Sequence, residues 1–232
     1  MEFAIFDEMN AIEGVSPTDV FEAHLQQVEL AEQLNYHSYW FAEHHFSPHR
    51  MAPSPNLLIA AAASRTSRIL LGNMVNVLPF HYPMRLAEEC AMLDHLTHGR
   101  LQVGIGRGVQ PPEFKSYEVD MSASREMFQE SYEMLKQVWT DANATTAGKY
   151  WSYRDAKLMP PVKQTPYPPL WFTGISRESA EWAAAEGLPL ASAFLGPDEI
   201  EEMGVIYREQ YQPSEQWPEP YFCVMRHVYV SD

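Results

Sequence analysis

Short apolar runs alternate with segments of helical period along almost the whole chain, and no other feature restricts the available folds as strongly. Residues 2–6, 38–42, 69–77 and 100–105 read as strands, and residues 16–34, 56–64, 83–96 and 124–139 as helices. The first helix carries its own start signal, since Ser16-Pro17-Thr18-Asp19 joins an oxygen-bearing cap to a first-turn proline and early negative charge. A βα alternation of this kind implies a parallel sheet. A Pro-rich excursion over residues 148–169 interrupts it, after which strands at 170–173, 190–193 and 221–230 alternate with helices at 176–186 and 197–211. Seven such strands fall one short of the eight that close a barrel and abolish its edges. The reading is therefore one α/β domain over residues 1–232, a (β/α)8 TIM barrel truncated after strand seven, with its C-terminal part missing.

Charge removes whole classes of partner. Sixteen basic against 31 acidic residues leave a net charge of −15, the wrong sign for a phosphate backbone or an anionic bilayer. Neither nucleic acid nor membrane is an expected partner. A content of 46% hydrophobic and 12% aromatic residues excludes a disordered chain. Cys90 and Cys223, without CxxC spacing, read as packed thiols of a reducing compartment. The start MEFAIFDEM has acids where a secretion signal needs bases, and no apolar run reaches membrane-spanning length. A soluble, cytoplasmic protein is expected.

The second strand, Tyr39-Trp40-Phe41-Ala42, stops on Glu43-His44-His45. Ionisable groups at the C-terminal end of a buried strand are where parallel α/β barrels place their chemistry. If the strand continues this far, neighbouring residues point to opposite faces, so one imidazole looks into the barrel mouth and the other toward a helix or a second subunit. An imidazole there is an acid/base candidate. A structural role and a metal site stay open, although the spacings to His37 and His49 match no familiar ligand pattern.

Three further features sit at strand ends. Gly104-Ile105-Gly106-Arg107-Gly108 offers a tight turn with open backbone amides and a guanidinium suited to phosphate. It is not the GxGxxG dinucleotide fingerprint, and Pro111-Pro112 stand where the helix of that motif would begin. Arg125, in the first turn of its helix, opposes the macrodipole unless an anion lies nearby; the alternative is a solvated pair with Glu126 or Glu130. Thr173-Gly174-Ile175-Ser176 leads into a helix N-terminus, a ready anion site, with Ser176 otherwise a plain N-cap. Together they point to a phosphorylated cofactor or substrate.

Taken in order, YWFAEHHF, ILLGNMVNVLPFHYPMRLAEECAMLDHLTHGRLQVGIGRG, EFKSYEVDMSASRE and PPLWFTGISRESAEWAAAEGLP resemble the bacterial luciferase family of flavin-dependent monooxygenases, over residues 3–230. The resemblance implies a (β/α)8 barrel that binds reduced FMN delivered by a separate flavin reductase. Reaction with O2 then gives a C4a-hydroperoxyflavin that oxygenates a small organic substrate such as an aldehyde. It implies that Arg107, Arg125 and Ser176, with Thr173 beside them, hold the flavin phosphate, and that His44 is the acid/base residue. Glu43 would lie near the ring system. Met74-Val75 falls where relatives have a non-proline cis peptide under the flavin. Gly106 stands where luciferase has a reactive cysteine, which argues for a general monooxygenase over a light emitter.

Two alternatives remain from the same residues: an F420-dependent oxidoreductase of the same fold, and a non-catalytic flavin-binding or partner subunit. The resemblance also implies a homodimer, or a heterodimer with a paralogue, through the helices after strands two and three. There Glu88-Glu89 would seek partners, and His45 could supply one.

Overall fold

Aromatic and branched residues form the strands, and helices whose first turns hold proline follow them. The computed structural model describes residues 1–229 and 231. The chain forms two compact units, residues 1–169 and the residues from Leu170 onward. In the first unit, β1 (Ala4–Asp7), β2 (Ser38–Phe41), β3 (Leu70–Val77) and β4 (Leu101–Gly106) pair in chain order and in parallel, with Ala4 opposite Ser38, Ser38 opposite Leu70 and Leu71 opposite Leu101. Helices α1 (Pro17–Gln33), α2 (Pro55–Ala63) and α3 (Pro83–Leu96) connect them. Every residue of β2 and β4 is buried, as expected for a parallel sheet covered on both faces. Ser16 caps α1 by accepting the Asp19 N–H at 3.2 Å, with Pro17 opening the first turn.

After β4 the chain makes α4 (Pro111–Ser116), α5 (Ser124–Thr140) and an antiparallel hairpin of β5 (Ala144–Ala147) and β6 (Ser152–Ala156). The second strand of the hairpin falls within the predicted excursion of residues 148–169, and the first strand precedes it. Pro111-Pro112, set against the helix of the dinucleotide motif, do open a short helix: both prolines sit in the first turn, where the missing N–H costs nothing. The glycine motif also differs from the expected turn. Gly104 and Gly106 lie inside β4, and Gly108, with φ +78°, takes the left-handed conformation that follows it.

The second unit repeats the pattern with β7 (Leu170–Thr173), α6 (Arg177–Ala185), β8 (Leu190–Ser192), α7 (Pro197–Gln210) and β9 (Phe222–Val224), its three strands again parallel. Seven parallel strands alternating with helices are thus present among the described residues, in the α/β class expected. The last is much shorter than the predicted 221–230. Its partner β8 offers only three residues, pairing Leu190 with Phe222 and Ser192 with Val224, so no ladder exists to hold a longer strand. Val230, the end of that prediction, lies outside the described residues. Among the described residues no helix is long and apolar enough to cross a membrane, and both cysteines are free thiols.

The β3–β4 pair slips register between Asn73 and Asn76. There the Asn73 side chain bridges layers, donating to Asn56 Oδ1 at 2.9 Å and accepting the Gly104 N–H at 2.7 Å. A Cβ on Gly104 would lie 2.1 Å from the Asn73 carbonyl oxygen, a contact with backbone that cannot move aside. Gly104→Ala is expected to destabilise the protein by ~1–3 kcal/mol or more. The check is a lower urea midpoint at unchanged slope.

Candidate active site

Strand β2 ends at Phe41, and the Ala42 N–H donates to the Asp7 carbonyl at 2.9 Å. Glu43, His44 and His45 therefore stand in a loop beyond the strand, so strict alternation of faces does not govern them. The Glu43 side chain has no solvent-accessible surface. Its Oε1 receives His45 Nε2 at 2.7 Å, its Oε2 receives the Val77 N–H at 3.0 Å, and His81 Nε2 lies 3.0 Å from both oxygens. Burial alone would raise the Glu43 pKa, but the facing His81 and His45 hold it down to about 2. Burial likewise opposes charge on His81, and Glu43 beside it holds its pKa above the ordinary value. Each group therefore favours the charged form of the other.

His45 is locked inside the first unit. Beyond Glu43, its Nδ1 lies 2.9 Å from the Tyr117 hydroxyl, and its ring meets Phe80 and Tyr117 edge-on. This corrects its expected place at a subunit boundary: Glu43 and Tyr117 satisfy both ring nitrogens within the chain. The expectation that Glu89 needs an outside partner is corrected as well, since it accepts from Arg85 Nε at 3.0 Å and Asn56 Nδ2 at 3.3 Å.

His44 is placed differently. Its side chain is 16% exposed, and Nδ1 lies 3.3 Å from Glu113 Oε1. The same oxygen accepts the His45 backbone N–H at 3.0 Å. Glu113, His81 and Tyr117 escaped the sequence reading. Glu113 was legible in principle, because Pro-Pro-Glu is a helix start with an acid at its third position, whereas nothing local marks His81 or Tyr117.

The Met74–Val75 peptide is cis, and both residues are half-buried within a strand whose neighbours Asn73 and Asn76 are fully buried. Among the described residues, both carboxamide atoms of Asn76 lack a hydrogen-bond partner. Arg107 follows β4 and Arg125 stands in the first turn of α5; both are exposed and without a partner among the described residues. The acids that could have neutralised Arg125 are taken. Glu126 binds Lys149 Nζ and the Tyr150 hydroxyl, at 2.6 and 2.7 Å. Glu130 accepts the N–H groups of Lys149, Tyr150 and Trp151 at 2.7–2.9 Å. In the second unit, Thr173 ends β7 half-buried, and Ser176 is the N-cap of α6, accepting the Ser179 N–H at 3.3 Å.

Parallel βα units with ionisable and cation-bearing side chains beyond the strand ends define an α/β scaffold of the kind that places ligand sites there. The family model of luciferase-like monooxygenases matches residues 1–232, and the chain belongs to that family. It is similar to the oxygenase component of a flavin-dependent trigonelline monooxygenase of Acinetobacter baylyi, at 27% identity over 100% of this chain and 66% of that protein. Among solved structures, monooxygenase RslO1 from Streptomyces bottropensis matches with a TM-score of 0.86 and 30% identity, covering 93% of this chain and 68% of that one. The oxygenating constituent of 3,6-diketocamphane monooxygenase from Pseudomonas putida, in complex with FMN, shares the fold with a TM-score of 0.85 at 24% identity, over 92% of this chain and 64% of that one. The chain spans 56%, 66% and 59% of the lengths of three curated relatives it matches.

Replacing Glu43 by Gln is expected to cost ~1–3 kcal/mol, because it leaves the part-buried His81 and the buried His45 ring without their carboxylate partner. Glu43 contributes fully above its ordinary 4.5 and loses that contribution as pH falls toward about 2. His81, with a raised pKa, contributes fully below its ordinary 6.5 and loses that contribution as pH rises through the raised value. The gap in unfolding free energy between wild type and Glu43→Gln, measured by urea titration, should be widest between those two values. A gap that does not change with pH would contradict the network.

Proposed function

We propose that this chain is the oxygenase part of a two-component flavin-dependent monooxygenase. It would take reduced FMN from a separate reductase and, with O2, oxygenate a small organic substrate, aldehydes being one candidate class. The observation that carries the reading is the pair Arg107 and Arg125: two exposed guanidinium groups without carboxylate partners among the described residues, in a chain of net charge −15. An unpaired cation in the first turn of a helix is unfavourable until an anion joins it. The orphaned Asn76 carboxamide, next to the half-exposed Met74–Val75 bond, fits a polar, planar ligand in the same way.

Bound reduced FMN would supply the electrons that activate O2 for transfer of one oxygen atom to the substrate. Arg107 and Arg125 would grip the phosphate through charge-assisted hydrogen bonds. On the second unit, Thr173 and Ser176 present hydroxyl groups at the N-terminus of α6, a feature suited to an anion. Met74 and Val75 would support the ring, and His44, through its exposed side, would hold or deliver the proton. Glu43, wholly enclosed, would act by fixing His45 and the end of β3. For a second copy of the chain, α2 and α3 offer Leu57 and Met92, 73% and 50% exposed. A light-scattering mass of one chain would argue against that dimer.

Anaerobic titration with reduced FMN should show binding that weakens roughly 10- to 100-fold in Arg107→Ala and in Arg125→Ala, the loss of a charge-assisted contact worth ~1.5–3 kcal/mol. His44→Ala should keep flavin affinity and slow turnover by roughly 10²–10⁴. Unweakened binding in both arginine variants, or tighter binding of reduced F420 than of FMN, would overturn the proposal.

A further inference from the structure

The two adjacent histidines are held by different carboxylates, and the difference assigns a role to Glu113. His45 has both ring nitrogens engaged, by Glu43 and Tyr117. His44 has one: Nδ1 faces Glu113 Oε1 at 3.3 Å, and Nε2 has no partner among the described residues. Glu113 is itself buried, 6% exposed, and the Oε1 atom beside His44 also takes the His45 N–H at 3.0 Å. That second bond fixes the carboxylate relative to the backbone on which His44 is built. A carboxylate accepts hydrogen bonds and cannot donate them. An imidazole facing it must therefore present a proton at Nδ1, which leaves the neutral ring an open lone pair at Nε2, the nitrogen without a protein partner.

We propose that Glu113 is the positioning residue of His44, fixing its Nδ1–H tautomer and ring orientation so that Nε2 is the atom that takes and returns the proton. In this role Glu113 acts through His44. The functional half of this inference rests on the acid/base reading of His44, whereas the tautomer does not. Nitrogen-15 spectra of the cofactor-free protein, with the His44 signals identified by their loss in His44→Ala, test the tautomer directly at a pH where the ring is neutral. The expected result is protonated Nδ1 and bare Nε2 in the wild type. A ring protonated on Nε2 in the wild type would overturn the assignment, whatever any variant does.

Turnover supplies the second arm. Glu113→Ala should fall roughly 10- to 100-fold, the range for residues that orient an imidazole, and Glu113→Asp should recover part of the loss. In a His44→Ala background the same substitution should change turnover no further. A full additional loss there would show that Glu113 acts apart from His44, and would overturn the positioning role even with the tautomer as expected. If His44→Ala by itself leaves turnover unchanged, the acid/base reading fails while the tautomer result stands on its own.

Discussion

Everything at the candidate active site depends on one buried anion. The Glu43 carboxylate gathers the Val77 backbone at the end of β3, His81 just beyond it and His45 from its own loop, all within 2.7–3.0 Å. A charge in such a place is tolerable only with its hydrogen bonds filled. Filling them determines where three segments of chain must go. The loop after β2 cannot drift from the end of β3 without exposing an unpaired charge to an apolar interior, so the histidine beside Glu43 inherits a fixed position.

The same economy extends to α4. One short helix supplies Glu113 to His44 and to the His45 backbone, and its C-cap Tyr117 supplies the hydroxyl on His45. It begins four residues after Arg107. A single stretch of chain thus carries the free guanidinium and both groups that hold the histidine pair from the α4 side. Movement of that stretch would be felt at the imidazoles.

Most of the fold was legible because each element declares itself locally. Residues 83–96 follow a proline and keep helical spacing, and α3 occupies those residues. Ser16 reads as a cap and is one. What stayed hidden depended on neighbours. The length of β9 was set by β8, which no local pattern records, and His45 was misplaced because its partners come from 35 to 72 positions away or from a carboxylate in a loop taken for strand. Arg107 and Arg125 were singled out by type and position. That Arg125 has no ion pair among the described residues depends on where the hairpin draws Glu126 and Glu130, which no local pattern records.

That commitment has a consequence for how the molecule meets an ion in solution. Glu130 spends its oxygens on the turn of the β5–β6 hairpin, and so leaves a local spot, the Arg125 guanidinium, that has no ion pair among the described residues of a strongly acidic chain. At physiological ionic strength charges are screened beyond about 8 Å, so an approaching dianion feels mainly the local spot; in ~0.01 M salt, where screening extends to about 30 Å, it meets the repulsion of the whole molecule first. Capture of such an ion should then pass through a maximum as salt is added: too little leaves the long-range barrier standing, too much erases the short-range attraction. The turn of the hairpin would in this way set the ionic conditions under which the chain meets such an ion.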